Sequence, residues 1–184
     1  MTPNEYQILA MRTKGGNTFT NRELMVNAAL GIAGETAEYL ESLADNNIDG
    51  CKKELGDIEW YIVLMCDVFK INFSALTRHR SNIKGKVFYK QLVLPSVAGR
   101  ICDQAKKVYF QGHSMSRSDM YSALIYLQDL ILDICDESGF DIEEIWELNI
   151  DKLFKRYPGG FKVRDSVNRK GEDQCSETDA TIAE

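Results

Sequence analysis

The stretch LGIAGETAEYLE, residues 30–41, carries two glycines and three glutamates inside a pattern typical of a helix. Around it, from Asn21 to Leu43, apolar residues recur at the spacing of one helical face. This apolar stripe comprises Met25, Ala29, Ile32, Tyr39, Leu40 and Leu43. A glycine inside a helix costs roughly 1 kcal/mol relative to alanine. The pair Gly31 and Gly34 therefore predicts that a neighbouring helix or a ligand approaches this backbone closely.

The rest of the chain has helical rather than alternating periodicity, with only 3 prolines in 184 residues. We predict further helices over Cys51 to Phe69, about Pro95 to Tyr109, about Ser118 to Glu137 and Asp141 to Lys155. The predicted fold class is all-α, and the length suits one folded domain over residues 1–164. Residues 165–184 lose apolar side chains and gain Ser, Thr, Asp and Glu, so we expect a disordered acidic tail there.

Composition disfavours several classes of protein. The formal net charge is -6 at pH 7, which gives no bulk positive charge for nucleic-acid binding. No apolar stretch reaches the roughly 20 residues that a membrane span needs, and no signal peptide is evident. The 5 cysteines include no CxxC pair, which disfavours a disulfide framework or a zinc site. We expect a soluble cytoplasmic protein that binds neither nucleic acid nor a membrane.

Acidic side chains occur in pairs on two consecutive predicted helices. Glu35 and Glu38 are three residues apart, as are Glu54 and Asp57, so each pair projects from one helical face. The segment 58–69 is almost entirely apolar, so carboxylates entering this helix need lysine partners or a metal ion. Four carboxylates without histidine or thiolate suit a hard cation such as Mg²⁺ or Mn²⁺. A single ExxE pair, by contrast, usually marks a solvated helix face.

The chain also contains a weak internal repeat. AGETAEYLESL is echoed by AGRICDQAKKV 65 residues later, and YIVLMCDVFKINFSAL by LILDICDESGFDIEEI at an offset of 69. Each copy comprises a helix, a long apolar helix ending in a Cys-Asp step, and a short helix after a turn. Duplication is one explanation, and shared helical periodicity is the other.

Three separated segments together resemble a known family. They are NAALGIAGETAEYLES (27–42), KKELGDIEWYIV (52–63) and NIDKLFKRYPGGF (149–161). The chain resembles the MazG-like nucleoside triphosphate pyrophosphohydrolases, in the all-α superfamily that also holds dimeric dUTPases and dCTP pyrophosphatases. The family pattern is ExxE, a spacer of variable length and ExxD. Here Glu35, Glu38, fifteen intervening residues, Glu54 and Asp57 meet it.

The resemblance implies a MazG-like helical bundle, with the metal site within 21–69. Single-unit members lack the roughly 70 residues that separate the motifs here, so we expect two fused units, the second over about 93–161. In that second unit the four acids are replaced by Arg100, Asp103, Ala123 and Tyr126. We therefore expect it to be degenerate and to act as scaffold. Because relatives assemble, we also expect a homo-oligomer, with a dimer favoured.

The implied activity is Mg²⁺-dependent hydrolysis of a nucleoside triphosphate to the monophosphate and pyrophosphate, in nucleotide-pool control or sanitation. Deoxynucleotides are the favoured substrates, and Mn²⁺ is a candidate substitute for Mg²⁺. The implied metal ligands are Glu35, Glu38, Glu54 and Asp57, and either Glu35 or Glu38 would orient or deprotonate the attacking water. The expected substrate contacts are Asn27, Lys53, Tyr61, Asn149, Lys152 and Arg156, with Lys152 and Arg156 on the phosphates.

Two alternative functions stay open at this point. The same fold could act on an alarmone or a modified nucleotide, or the chain could be a non-catalytic helical interaction protein. A di-iron carboxylate bundle is disfavoured because neither His79 nor His113 has an acid three residues before it. For the basic stretch TRHRSNIKGKVFYK (77–90) we expect an exposed loop, with a lid over the phosphates as the alternative.

Overall fold

The structure is a computed structural model that describes residues 1–15, 19–79 and 83–161. Within these ranges the chain forms helices and no β-strand, which confirms the all-α fold class. The helices are α1 (Pro3–Ala10), α2 (Asn21–Ala44), α3 (Ile48–Phe69), α4 (Phe73–Thr77), α5 (Val87–Gln111), α6 (Arg117–Ser138) and α7 (Ile142–Arg156), with a 3₁₀ turn at Met11–Thr13. The predicted tail over 165–184 lies outside the described residues.

Side-chain caps account for where several helices begin. Thr20 forms a capping box with Glu23 at the start of α2, in which each side chain bonds the other residue's backbone N–H. Ser116 accepts a hydrogen bond from the N–H of Asp119 at the start of α6. None of the helices in the described ranges is both long and apolar enough to cross a membrane.

Helix α5 begins at Val87, well before the predicted start at about Pro95. Pro95 lies inside this helix, where its missing N–H leaves one helical hydrogen bond unmade. Lys90 stabilises the early turns: it is 3% exposed, and its ammonium lies 2.9 Å from Asp133 and 2.5 Å from Glu137 of α6. The prediction of an exposed basic loop is therefore wrong for its last residues, which are helical and partly buried.

Two helical hairpins form the body of the fold. Short connections join α2 to α3 and α5 to α6, and such connections produce antiparallel neighbours. The hairpins meet where α2 packs against α5. Their facing sides supply fully buried side chains, among them Ile32, Leu55, Ile62, Leu94, Ile101 and Leu127. The core therefore runs continuously through both hairpins.

Each hairpin is followed by a short helix that packs on the other hairpin. Helix α4, which follows α3, packs against α6, while α7, which follows α6, packs against α3. The turns leading into these helices match at an offset of 69 residues. Lys70 and Gly139 both adopt the left-handed conformation, and Asn72 and Asp141 both cap the next helix by accepting from the N–H two residues later. A duplicated three-helix unit would produce this arrangement.

Candidate functional site

The structure brings three of the four predicted acids together. One carboxylate oxygen from each of Glu35, Glu38 and Glu54 lies within 4.8 Å of the other two. Glu54, in the first turns of α3, is only 5% exposed. Its Oε1 accepts a hydrogen bond from Lys53 at 3.0 Å, whereas its buried Oε2 has no hydrogen-bond partner in the described part of the chain. A buried carboxylate oxygen without a partner is a group that a bound cation would satisfy.

The electrostatics of Glu35 reflect its crowding by other acids. Burial is the largest cause that raises the pKa of Glu35, to about 8, and the negative charge of Asp57 is the next. The charges of Glu38 and Glu54 act in the same direction. When no cation is bound, burial and the neighbouring charges therefore favour the protonated form of Glu35. A divalent cation would reverse this preference, because it favours the ionised carboxylates.

Asp57 lies beside this acid cluster, but its carboxylate is bonded to α7. Lys152 donates hydrogen bonds to both of its oxygens, and the Asn149 side-chain amide donates to Oδ1 at 2.8 Å. Asn149 is 3% exposed and accepts a hydrogen bond from the Tyr6 hydroxyl at 3.0 Å. Asn149, predicted as a substrate contact, is thus a buried partner of Asp57. Its position suits holding the Asp57 carboxylate in place.

The two glycines of α2 have different surroundings. A Cβ atom added at Gly31 would lie 2.3 Å from the ring of Tyr61. The predicted close approach is therefore confirmed at Gly31, and the approaching group is a side chain of the neighbouring helix α3. At Gly34 an added Cβ would meet no described atom within 4 Å. No neighbouring helix therefore approaches Gly34 in the described structure, and the alternative of a ligand at this backbone stays a prediction.

Alanine substitutions at these two glycines should act in opposite directions. Gly31→Ala is expected to lower the free energy of unfolding by roughly 1–3 kcal/mol, because the new methyl group displaces the Tyr61 ring. Gly34→Ala is expected to raise it by up to about 1 kcal/mol through higher helix propensity. Urea denaturation of both variants measures the difference. Equal effects would contradict the packing of Tyr61 on the Gly31 backbone.

A cavity of about 710 Å³ opens beside the acid cluster. Its size lies within the roughly 300–1,000 Å³ of small-molecule sites. Its charged lining consists of Lys14, Glu23, Glu35, Asp57, Lys152 and Arg156, and its aromatic lining of Phe19, Trp60, Tyr61, Tyr109, Phe110, Tyr157 and Phe161. Cations, acids and aromatic rings thus surround one space, which suits a ligand with an anionic part and a planar part.

The predicted substrate contacts divide into two groups. Asn27, Tyr61, Lys152 and Arg156 line the cavity. Lys53 and Asn149 do not belong to the lining given by the described residues; they bond Glu54 and Asp57 instead. Of the two predicted catalytic acids, Glu35 lines the cavity and Glu38 does not.

Sequence analysis missed the aromatic residues that other segments bring to the cavity. Phe19 precedes α2, Phe161 follows α7, and Tyr109 and Phe110 end α5. The available signal was the adjacent Tyr109–Phe110 pair at an otherwise polar helix end, where Phe110 is 71% exposed. A contiguous patch of exposed apolar side chains commonly marks a binding surface.

Comparison with known proteins identifies no relative of the chain: no family model matches it, and neither does any curated protein or solved structure.

Proposed function

We propose that this protein is a Mg²⁺-dependent nucleoside triphosphate pyrophosphohydrolase, with deoxynucleotides as the favoured substrates and nucleotide-pool control or sanitation as its role. One observation carries most of the proposal. A cluster of three carboxylates, one of them with a buried oxygen that no described group satisfies, adjoins a cavity lined by cations and aromatic rings. The expected homo-oligomer and cytoplasmic location stay predictions from the sequence.

The acid cluster fits a hard divalent cation. Its donors are all carboxylate oxygens, which Mg²⁺ prefers to nitrogen or sulfur ligands. Glu35, Glu38 and Glu54 would hold the ion, and Asp57 stays a predicted fourth ligand, since its carboxylate is bonded to Lys152 and Asn149. A cation bound there would neutralise triphosphate charge and lower the pKa of the attacking water.

Side chains of α7 supply positive charge for the phosphates. Lys152 and Arg156 are four residues apart on one face of α7 and both line the cavity. Lys152 already pairs with Asp57, so it would link the acid site to a bound phosphate. Arginine presents a planar set of donors that suits phosphate oxygens. These two residues would hold the triphosphate beside the acids.

Of the two predicted catalytic acids, Glu35 is better placed than Glu38 to act on a water beside the phosphates. It belongs to the acid cluster and also lines the cavity. A carboxylate in that place would orient or deprotonate a water beside the bound phosphates. Glu38 would act as a ligand for the cation.

The proposal is tested by measuring pyrophosphate release from each standard dNTP and NTP with Mg²⁺ and with EDTA. We expect stoichiometric monophosphate and pyrophosphate, only with the divalent cation. A second set of substrates, an alarmone and several modified triphosphates, tests the alternative substrates. A well-folded protein that releases no pyrophosphate from any compound in either set would contradict the proposal and favour a non-catalytic interaction protein.

A further inference from the structure

The second hairpin has a cavity of its own. A hollow of about 420 Å³ lies between α5 and α6. Its polar lining consists of Arg100, Gln104, Asp119, Ser122 and Tyr126, and none of its described lining residues is shared with the larger cavity. Its volume also lies within the range of small-molecule sites.

By the internal repeat of the sequence, residues of this hollow correspond to residues of the acidic motifs in the first hairpin. At the offsets of the internal repeat, Arg100 corresponds to Glu35 and Tyr126 to Asp57. Ala123 likewise takes the place of Glu54. Asp103, the counterpart of Glu38, keeps an acid, but it does not belong to the described lining of the hollow and pairs with Lys106 and Lys107. With a guanidinium in place of the Glu35 carboxylate, the hollow suits an anion rather than a divalent cation.

The side chains of the hollow leave several groups available to a ligand. The Arg100 guanidinium has no carboxylate partner within the described ranges and lies 6.0 Å from the centroid of the Tyr126 ring. Tyr126 is 37% exposed. The buried Oε1 of Gln104 has no hydrogen-bond partner among the described residues. A bound hydrogen-bond donor would satisfy this amide.

We propose that this hollow is a non-catalytic binding site for a mononucleotide. Arg100 would bind the phosphate, and the Tyr126 ring would contact the base. Gln104 and Asp119 would accept hydrogen bonds from amino or hydroxyl groups of the ligand. The choice of a nucleotide among planar anions rests on the function proposed for the first hairpin.

The test is calorimetric titration of the full chain with each of the four deoxynucleoside monophosphates, in EDTA. Lys152→Ala should weaken nucleotide binding in the larger cavity. We expect monophosphate binding to the hollow to remain in this variant. Arg100→Ala should weaken this site by about tenfold or more, because it removes a charge-assisted contact to phosphate. Lys107→Ala, which removes a positive charge from the same helix outside the hollow, is the matched control and should leave the affinity unchanged.

Two further measurements distinguish recognition of the phosphate from recognition of the base. Tyr126→Ala should weaken monophosphate binding but leave binding of inorganic phosphate unchanged. Equal affinity for inorganic phosphate and monophosphates in the wild type would overturn a mononucleotide site. Binding that is unaffected by Arg100→Ala would overturn it too.

Failure of this site and failure of the proposed enzyme are distinguishable, because the titration needs neither Mg²⁺ nor turnover. Pyrophosphate release without Arg100-dependent binding would overturn the second site alone. Arg100-dependent binding without pyrophosphate release would support the second site and overturn the enzyme alone.

Discussion

Glu54→Gln is expected to reduce Mg²⁺-dependent pyrophosphate release by about 100-fold or more while making the cation-free protein more stable. The amide keeps the shape of the side chain but loses the charge that would hold the cation, and each factor of 10 in rate corresponds to about 1.4 kcal/mol. The same change removes one of the negative charges that raise the pKa of Glu35. Activity measurements with Mg²⁺ and thermal unfolding in EDTA test the two parts separately.

Glu41→Gln is the matched control for this prediction. Glu41 is an exposed acid on the same helix as Glu35, outside the acid cluster, so its neutralisation should change neither activity nor stability. A loss of both activity and stability in Glu54→Gln would show that Glu54 serves the fold. An unchanged activity would contradict the proposed cation site.

The stability of the cation-free protein is expected to fall as the pH rises from about 5 to about 8. In the folded state the pKa of Glu35 is about 8, against an ordinary value of 4.5. Between these values the folded protein holds a proton that the unfolded chain has released, so raising the pH favours unfolding. Burial also raises the pKa of Glu59, to about 7, so Glu59 adds to the same trend.

Mg²⁺ should remove the part of this trend that comes from Glu35. Because protons and the cation compete for the same carboxylates, stabilisation by Mg²⁺ should be larger at pH 8 than at pH 5. At ten times the dissociation constant a bound cation adds about 1.4 kcal/mol, or roughly 3–6 °C for a chain of this size. Melting temperatures measured across this pH range, with Mg²⁺ or EDTA, provide the readout.

Glu35→Gln is the variant that isolates this effect. It should flatten the pH dependence in EDTA and abolish most of the response to Mg²⁺, leaving the smaller trend due to Glu59. An equal response to Mg²⁺ at all pH values in the wild type, or an unchanged response in Glu35→Gln, would contradict cation binding by the acid cluster.

Local sequence patterns were sufficient to predict most of the helices. Helical periodicity depends on neighbours three and four residues away. In α3 and α6 the long apolar faces give a clear helical pattern in the sequence. The start of α5 could not be predicted in this way. It is stabilised by the pairing of Lys90 with Asp133 and Glu137 of α6, a tertiary contact that no local pattern contains.

In the candidate site, too, features set by local sequence were predictable, whereas features set by contacts between distant segments were not. The i, i+3 spacings and a short turn between α2 and α3 predicted that Glu35, Glu38, Glu54 and Asp57 meet, and the structure groups the first three. The bonding of Asp57 was not predictable, because Lys152 arrives from α7, about 95 residues later. The aromatic lining from Phe19 and Phe110 also depends on how distant segments pack.

Because α4 packs against α6 and α7 packs against α3, neither hairpin closes its own core. A fragment that ends after the first hairpin would expose the face of α3 that α7 covers, and a fragment that begins at α5 would expose the face of α6 that α4 covers. Unfolding should therefore be all-or-none across the two hairpins. The slow step of folding should be the formation of contacts between residues that lie far apart in the chain. The two halves are interdependent in folding, even though only the first carries the acid cluster.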